Sequence, residues 1–223
     1  MARLKTISAN LNALLETIAY AEGTSTSPIT KDEGYDVIVS GVDGPEIMTS
    51  YVDHPFANGR KSKVINSKGL TSNAAGKYQQ MLKDWAHYKK LLGLFDFGPI
   101  AQDRLAIQHI RECRALVLIE NGDFEGTIER IRNIWASLPG AGYGQREHNF
   151  NDLLAVYLSK GGKLWASKQS SASLVQPLPV SLEPSLSDAP KVNPKPIQTT
   201  ESDNPKSTLN GLFNLIKKLL TRK

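Results

Sequence analysis

Apolar side chains recur along residues 8–22 with the period of an amphipathic helix. Leu11, Leu14, Leu15 and Ile18 share one stripe at about 100° per residue. Ser8 or Asn10 can cap this helix, and Gly23 supplies its stop. The pattern then turns to β: Tyr35–Val39 reads as a strand, Gly41–Pro45 as a turn and Ile47–Val52 as a second strand. Residues 54–76 have no period and contain Pro55, Gly59, Gly69 and Gly76, which predicts irregular chain. Helical spacing returns over 77–91, 99–120, 124–134 and 146–160. Residues 1–165 therefore read as one mainly helical α+β domain with a small antiparallel sheet.

Past residue 165 the pattern stops. Residues 166–207 hold seven of the twelve prolines, many serines and no aromatic residue. Such a stretch cannot bury enough apolar surface to fold, and it reads as a disordered, flexible linker. In 208–223 a helical stripe reappears. Leu209, Leu212, Phe213, Leu215, Ile216, Leu219 and Leu220 cover an arc of about 160°, with Lys217, Lys218 and Arg222 mostly outside it.

Charge sharpens this division. The net charge of +5 is distributed as +1 over 1–165, 0 over 166–207 and +4 over 208–223, where Lys217, Lys218, Arg222 and Lys223 face no acid. A nearly neutral body argues against nucleic acid as a partner. The basic tail predicts a cationic amphipathic helix that binds an anionic membrane or lipopolysaccharide. Packing back on the domain, or against another chain, is the plainer alternative. The single Cys113 excludes an internal disulfide and Cys-rich zinc sites, and four histidines without ligand spacing argue against a bound metal; no cofactor is expected. The N-terminus has no apolar run of signal-peptide length and no stretch could span a bilayer, so the expected product is made in the cytoplasm.

One residue breaks the first helix's pattern. Glu22 falls in the middle of the Leu11, Leu14, Leu15 and Ile18 stripe. Burial and the partial negative charge of a helix C-terminus would both raise its pKa. A carboxylic acid kept neutral near pH 7 is suited to protonating a glycosidic oxygen. The alternative is a helix-end glutamate that bends past Gly23 into solvent.

Five blocks follow one another in the chain: Ala21-Glu22-Gly23-Thr24, Gly34–Val39, Tyr51–Pro55, Ala75–Gln79 and Asn133–Gln145. In this order, over about residues 10–163, they resemble the bacteriophage lambda endolysin family. The resemblance implies a lysozyme-like fold and lytic transglycosylation of bacterial peptidoglycan, with cell lysis as the outcome. The enzyme would be a monomer that acts on the wall in the periplasm once released from the host cytoplasm. It assigns Glu22 as the catalytic acid. Tyr78 and Gln79 would line the sugar cleft, Trp135, Ser137, Tyr143 and Gln145 would wall its other side, and Tyr35, Asp36, Asp53 and His54 would form a β-region lip. Ala21 stands where the family often has serine, and Ser40-Gly41 where it often has a glycine pair.

A hydrolytic muramidase would need a second carboxylate. Asp36 and Asp53 are the candidates, although each reads more simply as a polar strand or turn residue. A non-enzymatic envelope-binding protein acting through its cationic tail is the other alternative. Asp103, Arg104, Glu112 and their neighbours read as solvated helix faces, Trp85 as core, Cys113 as a small buried hydrophobe, and His87, His109 and His148 as ordinary polar residues.

Overall fold

The computed structural model describes residues 1–165. The expected linker and the cationic helix, with Lys217, Lys218, Arg222 and Lys223, lie outside the described residues.

Helix α1 spans Ala9–Ala21, capped by the Ser8 hydroxyl, which accepts from the Leu11 amide at 3.0 Å. It runs through the centre of the domain: Leu14, Leu15 and Ile18 are completely buried, each worth roughly 1.5–3 kcal/mol relative to exposure. Helices α4 (Leu116–Glu120) and α6 (Phe150–Ser159) pack against it, and α5 (Phe124–Ile131) packs on α4. This helical core includes Ile110, Ile119, Phe124, Ile131, Leu153 and Tyr157.

Strands β1 (Val37–Gly41), β2 (Gly44–Ile47), β5 (Ala74–Ala75) and β6 (Gln80–Met81) form an antiparallel sheet in the order β2-β1-β5-β6. A separate hairpin joins β3 (Lys63–Val64) to β4 (Thr71–Ser72), and the Val42 amide reaches it by donating to Val64 O. A second core under the sheet unites Ile38, Met48, Phe56, Trp85 and Phe97. Helix α2 spans Leu82–Leu92. Helix α3 (Pro99–Glu112) serves both cores, giving Leu105 to one and Ile110 to the other.

The structure departs from the sequence pattern at particular residues. Residues 77–81 are not helical. Gly76 and Gln79 take positive φ, +79° and +48°, and the chain turns back so that β6 pairs with β5. Only glycine fits at 76, where a Cβ would lie 2.2 Å from the Gln102 side chain. The expected helix 99–120 is two helices, because Arg114 adopts φ +57° and the Ala115 amide turns back to Ile110 O. No glycine or proline marks this break. The second strand is earlier than expected, because Val42 and Asp43 make the turn within the Gly41–Gly44 register. The stretch 54–76 contains three short strands, α5 ends three residues early, and α6 begins at Phe150 behind an Asn149 cap. No helix among the described residues is long and apolar enough to cross a membrane.

Candidate active site

Glu22 is the C-cap of α1, with Gly23 following at φ +71° to swing the chain away. Thr24, fully buried, donates its hydroxyl to Lys77 O at 2.6 Å, which fastens the post-helix chain to the β5–β6 turn. Gly34 packs so closely on Thr24 that a Cβ would lie 2.9 Å from its carbonyl carbon. These contacts bring the end of α1, the sheet and the turn together around a cavity of about 330 Å³, lined among others by Glu22, Thr26, Ser27, Val39, Ser40 and Gln79.

Among the described residues, Glu22 supplies the one charged group of that lining. Burial pushes its pKa up to about 7, opposed by a hydrogen bond from the Ser137 hydroxyl to Oε1 at 2.6 Å. The carboxyl is thus present both as acid and as base near neutral pH, and it keeps partial access to solvent. That combination permits proton donation and return by a single group.

The remaining residues expected at the site separate into four sets, three of them at cavities and the fourth, Tyr35, Asp36, Tyr78 and Trp135, buried in the domain. Gln79 lines the cavity with Glu22, its side-chain amide donating to Gly76 O at 3.1 Å, and Ser137 touches the acid directly. Tyr143 and Gln145 are exposed and line another cavity of about 460 Å³ with Met81, Tyr88, His109 and Asn133. Asp53 and His54 belong to a groove of about 440 Å³ on the β side, whose lining does not include Glu22.

Tyr35, Tyr78 and Trp135 correct the expectation of cleft contacts, because they are core residues. The two tyrosines are completely buried and donate their hydroxyls to Asp103 Oδ1 at 2.7 Å each, and Trp135 Nε1 donates to Tyr78 O. Asp36 is buried as well: its carboxylate accepts from the Thr30 hydroxyl and the Lys31 amide. Asp53 accepts from Trp85 Nε1, the His54 amide and Lys89 Nζ. Burial works to raise its pKa, but these donors together hold it below the usual carboxylate value. Both candidates for a second carboxylate are thus engaged in bracing, and neither lines the Glu22 cavity. His54 is buried between Phe56 and Phe97, with Nε2 on Gln80 O, and burial lowers its pKa.

Other residues matter that the sequence left among ordinary polar positions. Asp103 is a fully buried acceptor for four donors: the Tyr35 and Tyr78 hydroxyls and the Arg3 and Leu4 amides. The signal that isolated Glu22 was available for it, since Asp103 shares a helical stripe with Ala106, Ile107 and Ile110. Lys77 and Glu16 form a buried ion pair at 2.7 Å, with Lys77 Nζ 4.6 Å from the Tyr35 ring centroid. Cys113 is only partly buried, its thiol directed at Asn133.

The loop after Ser137 is held by its own carboxylate. Glu147 accepts from the Gly140 and Gly142 amides at 2.7 Å each, which lowers its pKa. Gly140, Gly142 and Gly144 all adopt positive φ, a shape that depends on an anchor. Glu147→Ala is expected to leave the fold intact and to make residues 139–146 several-fold more susceptible in limited proteolysis. Unchanged cleavage would remove Glu147 as the anchor.

A family model described as Endolysin matches residues 12–164. The endolysin of Escherichia phage P2 is 57% identical over 154 residues, covering 69% of this chain and 93% of that protein. The endolysin of Escherichia phage lambda is 47% identical over 151 residues, covering 67% and 90%. Among solved structures, bacteriophage lambda lysozyme complexed with a chitohexasaccharide aligns with a TM-score of 0.66 at 44% identity, covering 72% of this chain and 99% of that one. A second structure of that lysozyme gives 0.63 and 43% over the same shares.

Proposed function

This chain belongs to the endolysin family, lysozyme homologues that act on peptidoglycan, and we propose that it cleaves the glycan by lytic transglycosylation with Glu22 as its only acid–base group. The neutral Glu22 carboxyl protonates the oxygen bridging N-acetylmuramic acid to N-acetylglucosamine, and the C1–O bond breaks. The resulting carboxylate takes the proton from the muramic acid's own C6 hydroxyl, and that oxygen closes onto C1. The products are a 1,6-anhydro end and a free N-acetylglucosamine end, and Glu22 regains its proton. No water is consumed.

The observation that carries this reading is the Glu22 carboxyl with a pKa of about 7 in a cavity where the described residues supply no second carboxylate. Retaining or inverting hydrolysis ordinarily needs two carboxylates flanking the bond. An intramolecular nucleophile needs orientation and exclusion of water instead. The sugar bound by the lambda lysozyme fits a glycan occupant, and the hydroxyl-rich lining of Thr26, Ser27 and Ser40 suits an uncharged ring.

Digestion of purified peptidoglycan in heavy-oxygen water tests the reading by mass spectrometry. Muramic ends one water lighter than hydrolysed ends, without heavy oxygen, are the expected product. Incorporation of heavy oxygen at every new reducing end would establish hydrolysis instead.

A further inference from the structure

We propose that His148 is a positioning residue for Glu22, tying the main chain that carries the acid to the main chain that carries Ser137. The inference rests on the reading of Glu22 as the acid.

The last turn of a helix leaves carbonyls without intrahelical partners. In α1, Ile18 O accepts from the Glu22 amide, Tyr20 O from the Gly23 amide, and Ala19 O from the Thr24 and Ser25 amides. Ala21 O, in the peptide that leads directly into Glu22, is met from 127 positions away by His148 Nε2 at 3.1 Å. A carbonyl only accepts, so Nε2 carries the proton. Both the neutral Nε2–H tautomer and the imidazolium satisfy this bond, so the brace does not depend on the charge of the imidazole. The ring also rests on Tyr20, 5.5 Å between centroids.

The backbone of the same residue holds the other partner. The His148 amide donates to Ser137 O at 2.9 Å, closing the base of the loop, and the Ser137 hydroxyl then reaches Glu22 Oε1. His148 therefore fixes both ends of the Ser137–Glu22 hydrogen bond: the acid's main chain through its ring, and the serine's main chain through its amide. Asn149, next in the chain, caps α6, which packs along α1, so the brace is mounted on rigid structure. A cap that merely completed the helix would stabilise the fold without controlling the acid.

The two roles separate in a cycle of variants. His148→Phe keeps the ring against Tyr20 and removes the donor. His148→Gln restores an N–H at comparable reach. Glu22 is titrated by NMR of its side-chain carboxyl carbon in the full chain, alongside kcat and KM on purified peptidoglycan. Ser137→Ala is expected to raise the Glu22 midpoint in the parent chain, because it removes the bond that favours the anion, and to do so by less than half as much in the His148→Phe background. His148→Phe is expected to lower kcat roughly 10–100-fold, the scale of a misplaced catalytic group, with KM nearly unchanged, and His148→Gln to recover most of that loss. A full Ser137→Ala shift in the His148→Phe background, or kcat preserved in His148→Phe, overturns the proposal. If His148→Phe does not fold, the outcome is read from His148→Gln with and without Ser137→Ala. The coupling is then expected to match the parent, and its loss overturns the proposal. The titration does not require activity. Coupling that persists while Glu22→Gln remains active would therefore refute the assignment of the acid and leave the brace standing.

Discussion

Glu22→Gln is expected to lower kcat on peptidoglycan by about 10³–10⁴-fold, the upper part of the range for one general acid–base group, because the same carboxyl acts in both proton transfers. The substitution is nearly isosteric, and the amide oxygen can still accept from Ser137. The same variant is also expected to be more stable than the parent. The Glu22 pKa rises from 4.5 to about 7 on folding, since burial disfavours the charged form. Below pH 4.5 the group is neutral in both states and the folded chain carries no penalty. Between 4.5 and about 7 the unfolded chain releases the proton first, so stability falls as pH rises, and above 7 it levels off. The full shift corresponds to at most about 3 kcal/mol, reduced by the solvent opening beside the carboxyl. Urea midpoints of the two chains should coincide near pH 4 and diverge at pH 8 in favour of the variant. Parent activity should decline through pH 7 as the acid form is lost. Retained lysis of purified peptidoglycan by the glutamine variant would end the assignment, and equal midpoints at pH 8 would show that Glu22 is hydrated.

The acid was legible because helical periodicity is a strong signal and a carboxylate on an apolar stripe conflicts with it. Its consequence was legible too: Glu22 ends α1, and burial governs its pKa. The motif carrying Tyr78 and Trp135 marked the right region but not the direction of the side chains. Aromatic residues serve cores and sugar platforms equally well in sequence, and only the position of Asp103 turns the Tyr35 and Tyr78 hydroxyls inward. Asp53 shows the converse, since one of its donors is the amide of the next residue, as turn chemistry predicts, whereas Asp36, which reads in sequence as an outward strand position, is buried and takes its donors from Thr30 and Lys31. Helix boundaries failed where non-glycine residues adopt positive φ, at Gln79 and Arg114, because tertiary contacts impose those conformations and composition does not signal them. His148 escaped notice for a related reason: its partner, Ala21 O, is a backbone atom that every residue type supplies.

Asp103→Ala is expected to destabilise the domain by about 3–5 kcal/mol, the loss typical of removing the charged member of a buried polar cluster. That is a large share of the roughly 5–15 kcal/mol that typically holds a domain together. Alanine leaves four donors without an acceptor: two tyrosine hydroxyls at zero exposure, and the Arg3 and Leu4 amides. These donors join the N-terminal segment, the chain entering β1 and the Gly76–Gln79 turn, so the loss is felt across both cores. Asp103→Asn should be much milder, at roughly 1–2 kcal/mol. The carbonyl oxygen of the introduced amide can face the Arg3 and Leu4 amides, which only donate. Its NH₂ can then face the tyrosine hydroxyls, which rotate to accept. The separation between Asp103→Ala and Asp103→Asn in urea midpoint therefore measures acceptor loss and not charge. Equal destabilisation by both would mean that the negative charge is what the cluster requires, while a loss below about 1 kcal/mol for alanine would show that water replaces the carboxylate. The Glu22 titration should move little in Asp103→Asn, because burial raises the pKa of the acid, the Ser137 hydrogen bond partly offsets that rise, and no neighbouring charge contributes. The hub thus secures the scaffold on which the catalytic group is mounted, and the chemistry of that group is set locally at the end of α1.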